Sequence, residues 1–427
     1  MAFSFLVNIV YSLIDRFYAS RLGDAAIAAI GTSDQVTFFL FTAVSGLAVG
    51  TGIVVSRRFG EGNIEVASRT ATQAIVGMAC ISGLVTAIMF FVMPLVPGVM
   101  RMSPEVTPLA LDYMQMLYLG FTFNLVSFQV FAVIRSVGNS VFPMVVLLAT
   151  TVVNAALAPF LIFGIGPFPE LGLAGAGLAT AIAQTLGCVF GISLVLSGRT
   201  SLHLTFRRYK PDLKLKGQIA RLGLPSSIQM LSVSVNRAMI FVMVGGYGTS
   251  VTAAYTLGLS LDMVVFMSVF AFGVALEVAT GQNMGAGNID RAIAYHRSAV
   301  KQMGVLMLSL AVVIWFFGRY FINLYTNVPE TAAEGLTYLH TTVFGYTAFA
   351  IGLVTIRAIS GAGAPYLSMV ITVACLLCFQ LPASYVLSHP LSLGPQGVWF
   401  GILAGYLLFA GVALWVHRLG SWRTAKV

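Results

Sequence analysis

Gly60-Glu-Gly-Asn-Ile-Glu-Val-Ala67 returns later in the chain as Gly285-Ala-Gly-Asn-Ile-Asp-Arg-Ala292, and these two stretches decide the fold. Two other motif pairs keep nearly the same spacing: Ile134-Arg135 followed by Pro143 recurs as Ile356-Arg357 followed by Pro365, and the Leu-Gly-x-x-Gly pattern of 171–175 recurs at 393–397. The members of each pair are 222 to 225 residues apart. Such a long repeat predicts two copies of one structural unit.

The composition identifies the repeated unit as a bundle of membrane helices. Of the 427 residues 58% are apolar and only 9% are charged, and the mean hydropathy is +0.92. A spanning helix needs about 20 mostly apolar residues, and such runs fill the chain without leaving room for a soluble domain. Breaks at Gly, Pro and charge clusters predict twelve spans, roughly at 2–22, 34–56, 70–94, 109–134, 141–163, 173–196, 220–244, 253–280, 299–322, 334–356, 365–388 and 397–417.

Twelve spans and a twofold repeat predict an all-α integral membrane protein with two pseudo-symmetric six-helix bundles. We expect an N-terminal lobe at 1–196, a cytoplasmic connecting loop at 197–219 and a C-terminal lobe at 220–427. Because six is even, both copies insert in the same orientation, and two similar bundles facing each other are expected to enclose a central cavity. The first span is barely long enough, so we also expect that the natural chain starts earlier.

The basic residues indicate the orientation in the membrane. The net charge is +9, but Lys and Arg lie between apolar runs, which argues against nucleic acid as a partner. Most of them fall in the loops that share a side with the termini, whereas the opposite loops hold only Arg21, Arg101 and Arg319. The positive-inside rule therefore predicts a multi-pass protein of the cell inner membrane with both termini cytoplasmic.

Asp15 is the most unusual residue of the first span. A charge near the bilayer centre costs at least about 2.5–3.5 kcal/mol on insertion scales, so such residues usually carry an ion, a proton or a substrate. The alternative is a structural ion pair with Arg16 or Arg237. The repeat aligns Asn236-Arg237 with Asp15-Arg16, so only one half keeps the acid.

Other polar residues within the spans are candidates for lining a substrate cavity. Asp262 and Glu277 share the eighth span, although an interfacial, solvated position is equally compatible with Glu277. Membrane amides such as Asn154, Gln229 and Gln380 would bond either a substrate or a neighbouring helix. The histidines are scattered and Cys375-x-x-Cys378 lacks a second pair, so we predict no metal site, no cofactor and no enzymatic centre.

Three stretches together resemble a known family. They are Ile14-Asp-Arg-Phe-Tyr-Ala-Ser-Arg-Leu-Gly-Asp-Ala-Ala25, Arg57-Arg-Phe-Gly-Glu-Gly-Asn63 and Val278-Ala-Thr-Gly-Gln-Asn-Met-Gly-Ala-Gly-Asn288. With the two six-helix repeats they are similar to the multidrug and toxic compound extrusion (MATE) family over essentially the whole chain. The prokaryotic branch related to DNA-damage-inducible protein F is the most similar.

The resemblance implies an exporter that exchanges organic cations for protons or sodium ions by alternating access. It places the cation-coupling residues at Asp15, Asn154 and Thr180. The chain departs from the family pattern where some members have further acids, because it has Ala158 and Phe349 near those places and no acid in the seventh span.

We therefore expect a secondary active multidrug exporter coupled to protons or sodium ions. Its expected substrates are small lipophilic organic cations. We expect the protein to lie in the lipid bilayer and to be a monomer. The cavity candidates are Asp262, Arg237, Asn236, Gln229 and Glu277. The alternative is a flippase for lipids or lipid-linked precursors, which would need several cavity arginines for anionic pyrophosphates.

Overall fold

A computed structural model describes Tyr18, residues 20–100, 102–198, 200–204, 209–323, 325–326, 328–425 and Val427. Within those ranges the regular structure is helical, and eleven helices are long and apolar enough to cross a membrane. They are α1 (Asp24–Gly60), α2 (Ile64–Val92, extended by short turns to Met100), α3 (Val106–Ser136), α4 (Val141–Phe163), α5 (Leu173–Leu196), α6 (Leu213–Gly245), α7 (Thr249–Gly285), α8 (Ile289–Asn323), α9 (Pro329–Gly361), α10 (Pro365–Ser388) and α11 (Gly394–Leu419).

The prediction of an all-helical membrane protein is confirmed. Each predicted span from the second to the twelfth lies within one observed helix, and the fifth, sixth and eleventh have the observed bounds. The first predicted span, 2–22, lies almost entirely outside the described residues. Several helices are longer than predicted, because polar residues at a helix end keep their intrahelical hydrogen bonds beyond the apolar run. The 37 residues of α1, for example, extend over about 55 Å, whereas the hydrocarbon layer is about 30 Å thick.

The chain divides into two compact units between Ser227 and Ile228, within α6. The core of the first unit includes the buried rings of Tyr118 and Phe121, and the core of the second is built around Trp399. The start of α6 belongs to the first unit because glycines let it lie directly against α1. A Cβ added to Gly50 would lie 2.6 Å from the backbone nitrogen of Gly223, so neither helix has room there for a side chain.

The segment before α6 is held against α2. The Nε2 of Gln73 donates to the carbonyl of Lys210, while its Oε1 accepts bonds from the Tyr209 hydroxyl (2.9 Å) and the Asp212 amide (3.2 Å). The backbone amide of His203 donates to Ser68 at 3.0 Å. The helix begins at Leu213, earlier than the predicted end of the connecting loop at 219.

The repeated glycine stretches form the same turn in each unit. Gly62 and Gly287 have φ of 76° and 75°, a left-handed conformation that glycine adopts without strain. One residue later the amide of Asn63 bonds the carbonyl of Arg58 at 3.0 Å, and the amide of Asn288 bonds the corresponding carbonyl at 2.8 Å. The sequence repeat is therefore a structural repeat at this turn.

The two Ile-Arg motifs occupy different positions in their helices. Arg135 lies in the last turn of α3, whereas Arg357 lies about one turn further from the end of α9. The left-handed glycines that follow these helices, Gly138 and Gly363, have φ of 93° and 101°. Because these turns correspond to each other, the second copy gains an extra turn of helix, which places Arg357 in the protein interior.

Candidate functional site

A polar pocket lies within the second unit between α6, α7, α9, α10 and α11, and we call it the Asp262 pocket. Its cavity has a volume of about 40 Å³, which is smaller than the sites that hold drug-sized molecules. The pocket would therefore have to widen to admit a substrate. Its polar lining consists of Asn236, Arg237, Tyr255, Asp262, Tyr346, Gln380 and Tyr406, and its apolar lining includes Phe266, Phe349, Leu376 and Ile402.

The carboxylate of Asp262 is fixed by two tyrosines of α9. The hydroxyl of Tyr338 donates to Oδ2 at 2.7 Å, and the hydroxyl of Tyr346 donates to Oδ1. The two tyrosines are eight residues apart, about 12 Å along the helix, and both side chains converge on one acid. Both carboxylate oxygens thus have a fixed donor, which orients the acid within the pocket.

Aromatic packing holds these tyrosines in place. The ring of Tyr338 packs edge-on against Trp399 at 4.8 Å. Tyr255 stacks on Trp399 at 5.5 Å and packs edge-on against Tyr338 at 5.6 Å. Gly258 makes room for this arrangement, because a Cβ there would lie 2.2 Å from the Tyr338 ring. Since that glycine is one turn before Asp262 on α7, the same stretch of helix provides both the acid and the space for its partner.

Two amide oxygens in the pocket have no hydrogen-bond partner among the described residues. They are Oδ1 of Asn236 and Oε1 of Gln380, and the two residues are only 5% and 1% exposed. An unpartnered buried polar atom costs about 1–3 kcal/mol, so each one calls for an explanation such as a bound water, ion or ligand. Both residues line the same pocket as Asp262.

Gln380 reaches the pocket from an irregular helix. Residues Val373–Gln380 of α10 are π-helical, and Pro382, which cannot donate a backbone hydrogen bond, follows. Single stretches of π-helix often occur at functional sites because they redirect side chains. Here the stretch contributes both Leu376 and Gln380 to the lining.

Arg237 brings a positive charge into the same pocket. In the part of the chain that the structure describes, no salt bridge joins its guanidinium to Asp262. The pocket therefore contains a carboxylate and a guanidinium that form no salt bridge with each other.

The other predicted cavity residues lie elsewhere. Gln229 is buried and its Nε2 donates to Thr372 at 3.2 Å, which links α6 to α10. Glu277 forms a salt bridge of 3.1 Å with Arg357, and the two side chains are only 8% and 5% exposed. The solvated alternative for Glu277 is wrong, because the carboxylate is buried and paired with Arg357 inside the protein.

Two of the predicted cation-coupling residues meet in the first unit. The Nδ2 of Asn154 on α4 donates to the hydroxyl of Thr180 on α5 at 3.2 Å, and both residues are buried. Asp15, their predicted partner, lies outside the described residues. The role of all three in coupling stays a prediction.

The sequence reasoning missed the tyrosines of the pocket. Tyr255, Tyr338, Tyr346 and Tyr406 lie in predicted spans and were not distinguished from other aromatic residues. One signal was available in the sequence. A tyrosine within a span needs a hydrogen-bond partner for its hydroxyl, and Asp262 was an acid within a span that had no assigned partner. Which span faced which could not be obtained from the pattern.

Comparisons with known proteins agree with this architecture. The MatE family model matches residues 1–160 and 225–386. The probable multidrug resistance protein YoeA of Bacillus subtilis is 28% identical, with 90% of this chain and 84% of that protein covered. The FAD transporter of Shewanella oneidensis is 26% identical, with 89% and 84% covered.

Solved structures show the same fold. The MATE transporter VcmN of Vibrio cholerae in its bent form has a TM-score of 0.91 at 21% identity, covering 99% of this chain and 95% of that one. A MOP superfamily transporter from Pyrococcus furiosus also has a TM-score of 0.91, at 24% identity over 100% of this chain and 95% of that one. The chain therefore belongs to the MatE, or multidrug and toxic compound extrusion, family of membrane transporters, and it is a multi-pass membrane protein and not an enzyme.

Proposed function

We propose that this transporter is a cation-coupled exporter of small organic molecules that works by alternating access. The observation that carries the proposal is the Asp262 pocket, where a carboxylate fixed by two tyrosines lies beside unpartnered amide oxygens. Acids in membrane segments are rare and usually mark a substrate, ion or proton pathway. The names of relatives such as YoeA support multidrug export as the activity.

The chemistry of the pocket favours organic cations with hydrogen-bond donors. Asp262 offers a negative charge, and the free oxygens of Asn236 and Gln380 offer acceptors for ligand N–H groups. The faces of Tyr406 and Phe349 add cation–π attraction, which is worth about 2 kcal/mol when desolvated. A lipophilic cation satisfies all three requirements at once.

Coupling needs a second ion whose binding opposes that of the substrate. In our proposal Asp15, Asn154 and Thr180 bind a proton or a sodium ion from outside, and the bound cation weakens substrate binding. Linkage requires that the ion and the substrate prefer different states of the carrier. Coupling to either ion would need no cofactor.

A second candidate is export of an anionic aromatic substrate. Arg237 favours it, because this cation lines the pocket without a salt bridge to Asp262. The FAD transporter relative has such a substrate by its name. A lipid-linked precursor flippase belongs to the same class but is less well supported, because Arg237 is the only arginine among the residues that line the pocket in the described part of the chain.

The charge distribution supports placement in the cell inner membrane with both termini cytoplasmic. We also propose that the transporter is a monomer.

The test is ethidium efflux from proteoliposomes under an imposed proton gradient and, separately, a sodium gradient. Variants are Asp15→Asn, Asp262→Asn and, as a matched control, Asp290→Asn, an acid at the exposed start of α8. A lost contact to a charged group is worth about 1.5–3 kcal/mol, so we expect Asp262→Asn to lower efflux at low ethidium by roughly ten- to a hundredfold. Asp290→Asn should leave it unchanged.

The outcomes separate the alternatives. The gradient that drives efflux names the coupling ion, and loss of driven efflux in Asp15→Asn assigns the coupling acid. Efflux of FAD but not ethidium, lost in Arg237→Gln, would favour the anionic candidate. If Asp262→Asn transports both substrates like the wild type, the Asp262 pocket is not the substrate site.

A further inference from the structure

A second pocket of the second unit lies between the start of α8 and the end of α11. We call it the basic pocket, and its cavity has a volume of about 460 Å³. Its charged lining consists of Arg297, Lys301, Arg418 and Arg423, and no acidic residue lines it in the described part of the chain. The Asp262 pocket and the proposed transport mechanism use none of these residues.

The floor of the basic pocket is a stack of buried aromatic rings. His296 and His417 stack with ring centroids 3.7 Å apart, and Trp422 stacks on His417 at 4.8 Å. The Nε2 of His296 is bonded to the Thr355 hydroxyl at 3.0 Å. In contrast, Nε2 of His417, a residue only 7% exposed, has no partner among the described residues.

The short turn after α11 brings one of the cations to the pocket. Residues Ser421–Thr424 form a 3-10 turn whose Trp422 is buried and donates its indole N–H to the carbonyl of His417 at 2.9 Å. The Arg423 guanidinium lies 5.8 Å from the Trp422 ring centre. Arg423 thus lines the same pocket as Arg297 and Lys301 of α8.

Ordinary topology signals do not explain this arrangement. Basic residues at the end of α11 complement the helix dipole and obey the positive-inside rule. Neither effect requires cations of two helices to converge on one concave site, where they repel one another. None of the four has a salt bridge among the described residues. An anion that neutralises them would remove this repulsion.

We propose that the basic pocket binds the phosphate of an anionic phospholipid headgroup. Basic pockets between membrane helices on the cytoplasmic side recognise such headgroups, and arginines bind phosphate through paired hydrogen bonds. Apolar side chains of Ile293, Val300 and Leu414 complete the lining, and an acyl chain would pack against them. Trp415, which is 62% exposed, marks the interfacial level on the same helix.

The test titrates the purified full-length protein, in detergent and delipidated, with dioleoylphosphatidylglycerol, with dioleoylphosphatidylcholine and with inorganic phosphate. Native mass spectrometry counts bound lipid. The variant is the double substitution Arg297→Gln and Arg418→Gln. The control is the double substitution Arg221→Gln and Arg291→Gln, which removes the same charge from exposed positions outside the pocket.

We expect the anionic lipid to bind the wild type and the charge-matched control with similar affinity. Each cation near a membrane contributes about 1 kcal/mol, so the pocket variant should bind about 30-fold more weakly, which corresponds to about 2 kcal/mol. Equal binding by both double variants, or equal binding of phosphatidylcholine, would overturn the proposal. Saturation by inorganic phosphate at the concentrations of the lipid would assign a free-phosphate site and also overturn it.

His417→Phe provides an independent variant. It keeps an aromatic ring between His296 and Trp422 but removes the unpartnered nitrogen. We expect several-fold weaker binding of the anionic lipid with an unchanged thermal unfolding midpoint of the lipid-free protein. Unchanged lipid affinity would exclude this nitrogen from the site and contradict its place in the proposal.

Discussion

Neutralising Glu277 by Glu277→Gln is expected to destabilise the second unit strongly. Its carboxylate lies 3.1 Å from Nη1 of Arg357, and both side chains are at least nine-tenths buried. At that distance, with an effective dielectric constant of about 20, the attraction is about 5 kcal/mol. Much of this compensates for moving both charges out of water, so the pair itself adds little net stability. Removing Glu277 nevertheless leaves the buried Arg357 charge with no anionic partner among the described residues, and only the ring of Phe270, whose centroid is 4.4 Å away, still stabilises it.

The expected cost is about 3–5 kcal/mol of unfolding free energy, or a factor of several hundred to several thousand in the folding equilibrium. A matched control is Glu330→Gln, because Glu330 is exposed on α9, the helix of Arg357, and accepts a hydrogen bond from the Ser250 hydroxyl at 3.0 Å. An exposed acid in the first helical turn is worth about 0.3–1 kcal/mol. Both variants replace Glu with Gln, so they differ mainly in how deeply the substituted side chain is buried.

The assay is equilibrium unfolding in detergent micelles followed by tryptophan fluorescence. The chain has four tryptophans, Trp315, Trp399, Trp415 and Trp422, and all of them lie in the second unit, so the signal reports the unit that contains the pair. The double substitution Glu277→Gln and Arg357→Met should cost less than the sum of the single ones, because it leaves no unpaired charge. If Glu277→Gln costs no more than Glu330→Gln, the reasoning from burial is refuted.

Two further predictions concern packing and the segment before α6. Gly361→Ala should destabilise the protein by about 1–3 kcal/mol, because the added Cβ would lie 2.2 Å from the carbonyl oxygen of Glu277. Gly411→Ala is the control and should be neutral or stabilising, because no atom lies within 4 Å of the added Cβ. Thermal unfolding in detergent measures both, and equal midpoints would contradict the close approach. Gln73→Ala removes the acceptor of the Tyr209 hydroxyl and the donor to the Lys210 carbonyl. Amide hydrogen exchange in 209–212 should therefore become at least tenfold faster. Unchanged exchange would show that other contacts hold the segment.

The positions of the helices were predictable because hydrophobicity is a local property. Each span needs its own apolar run, so α4 and α5 could be located from the sequence with their observed bounds. The glycine turns at Gly62 and Gly287 were predictable for a similar reason, since a left-handed backbone depends on one residue and its neighbours. The helix ends were less predictable, because polar residues beyond an apolar run give no sign of where hydrogen bonding stops.

The polar contacts were decided only by the tertiary structure. Asp262 and Glu277 lie on the same helix and could not be separated as cavity candidates by sequence. Helix packing gives Asp262 two tyrosine hydroxyls in an open pocket, and it gives Glu277 an arginine in a closed core. The sequence by itself determined that these acids lie in a membrane and therefore need partners. Which partner each one found depends on how distant helices are rotated about their axes, and no local pattern records that rotation.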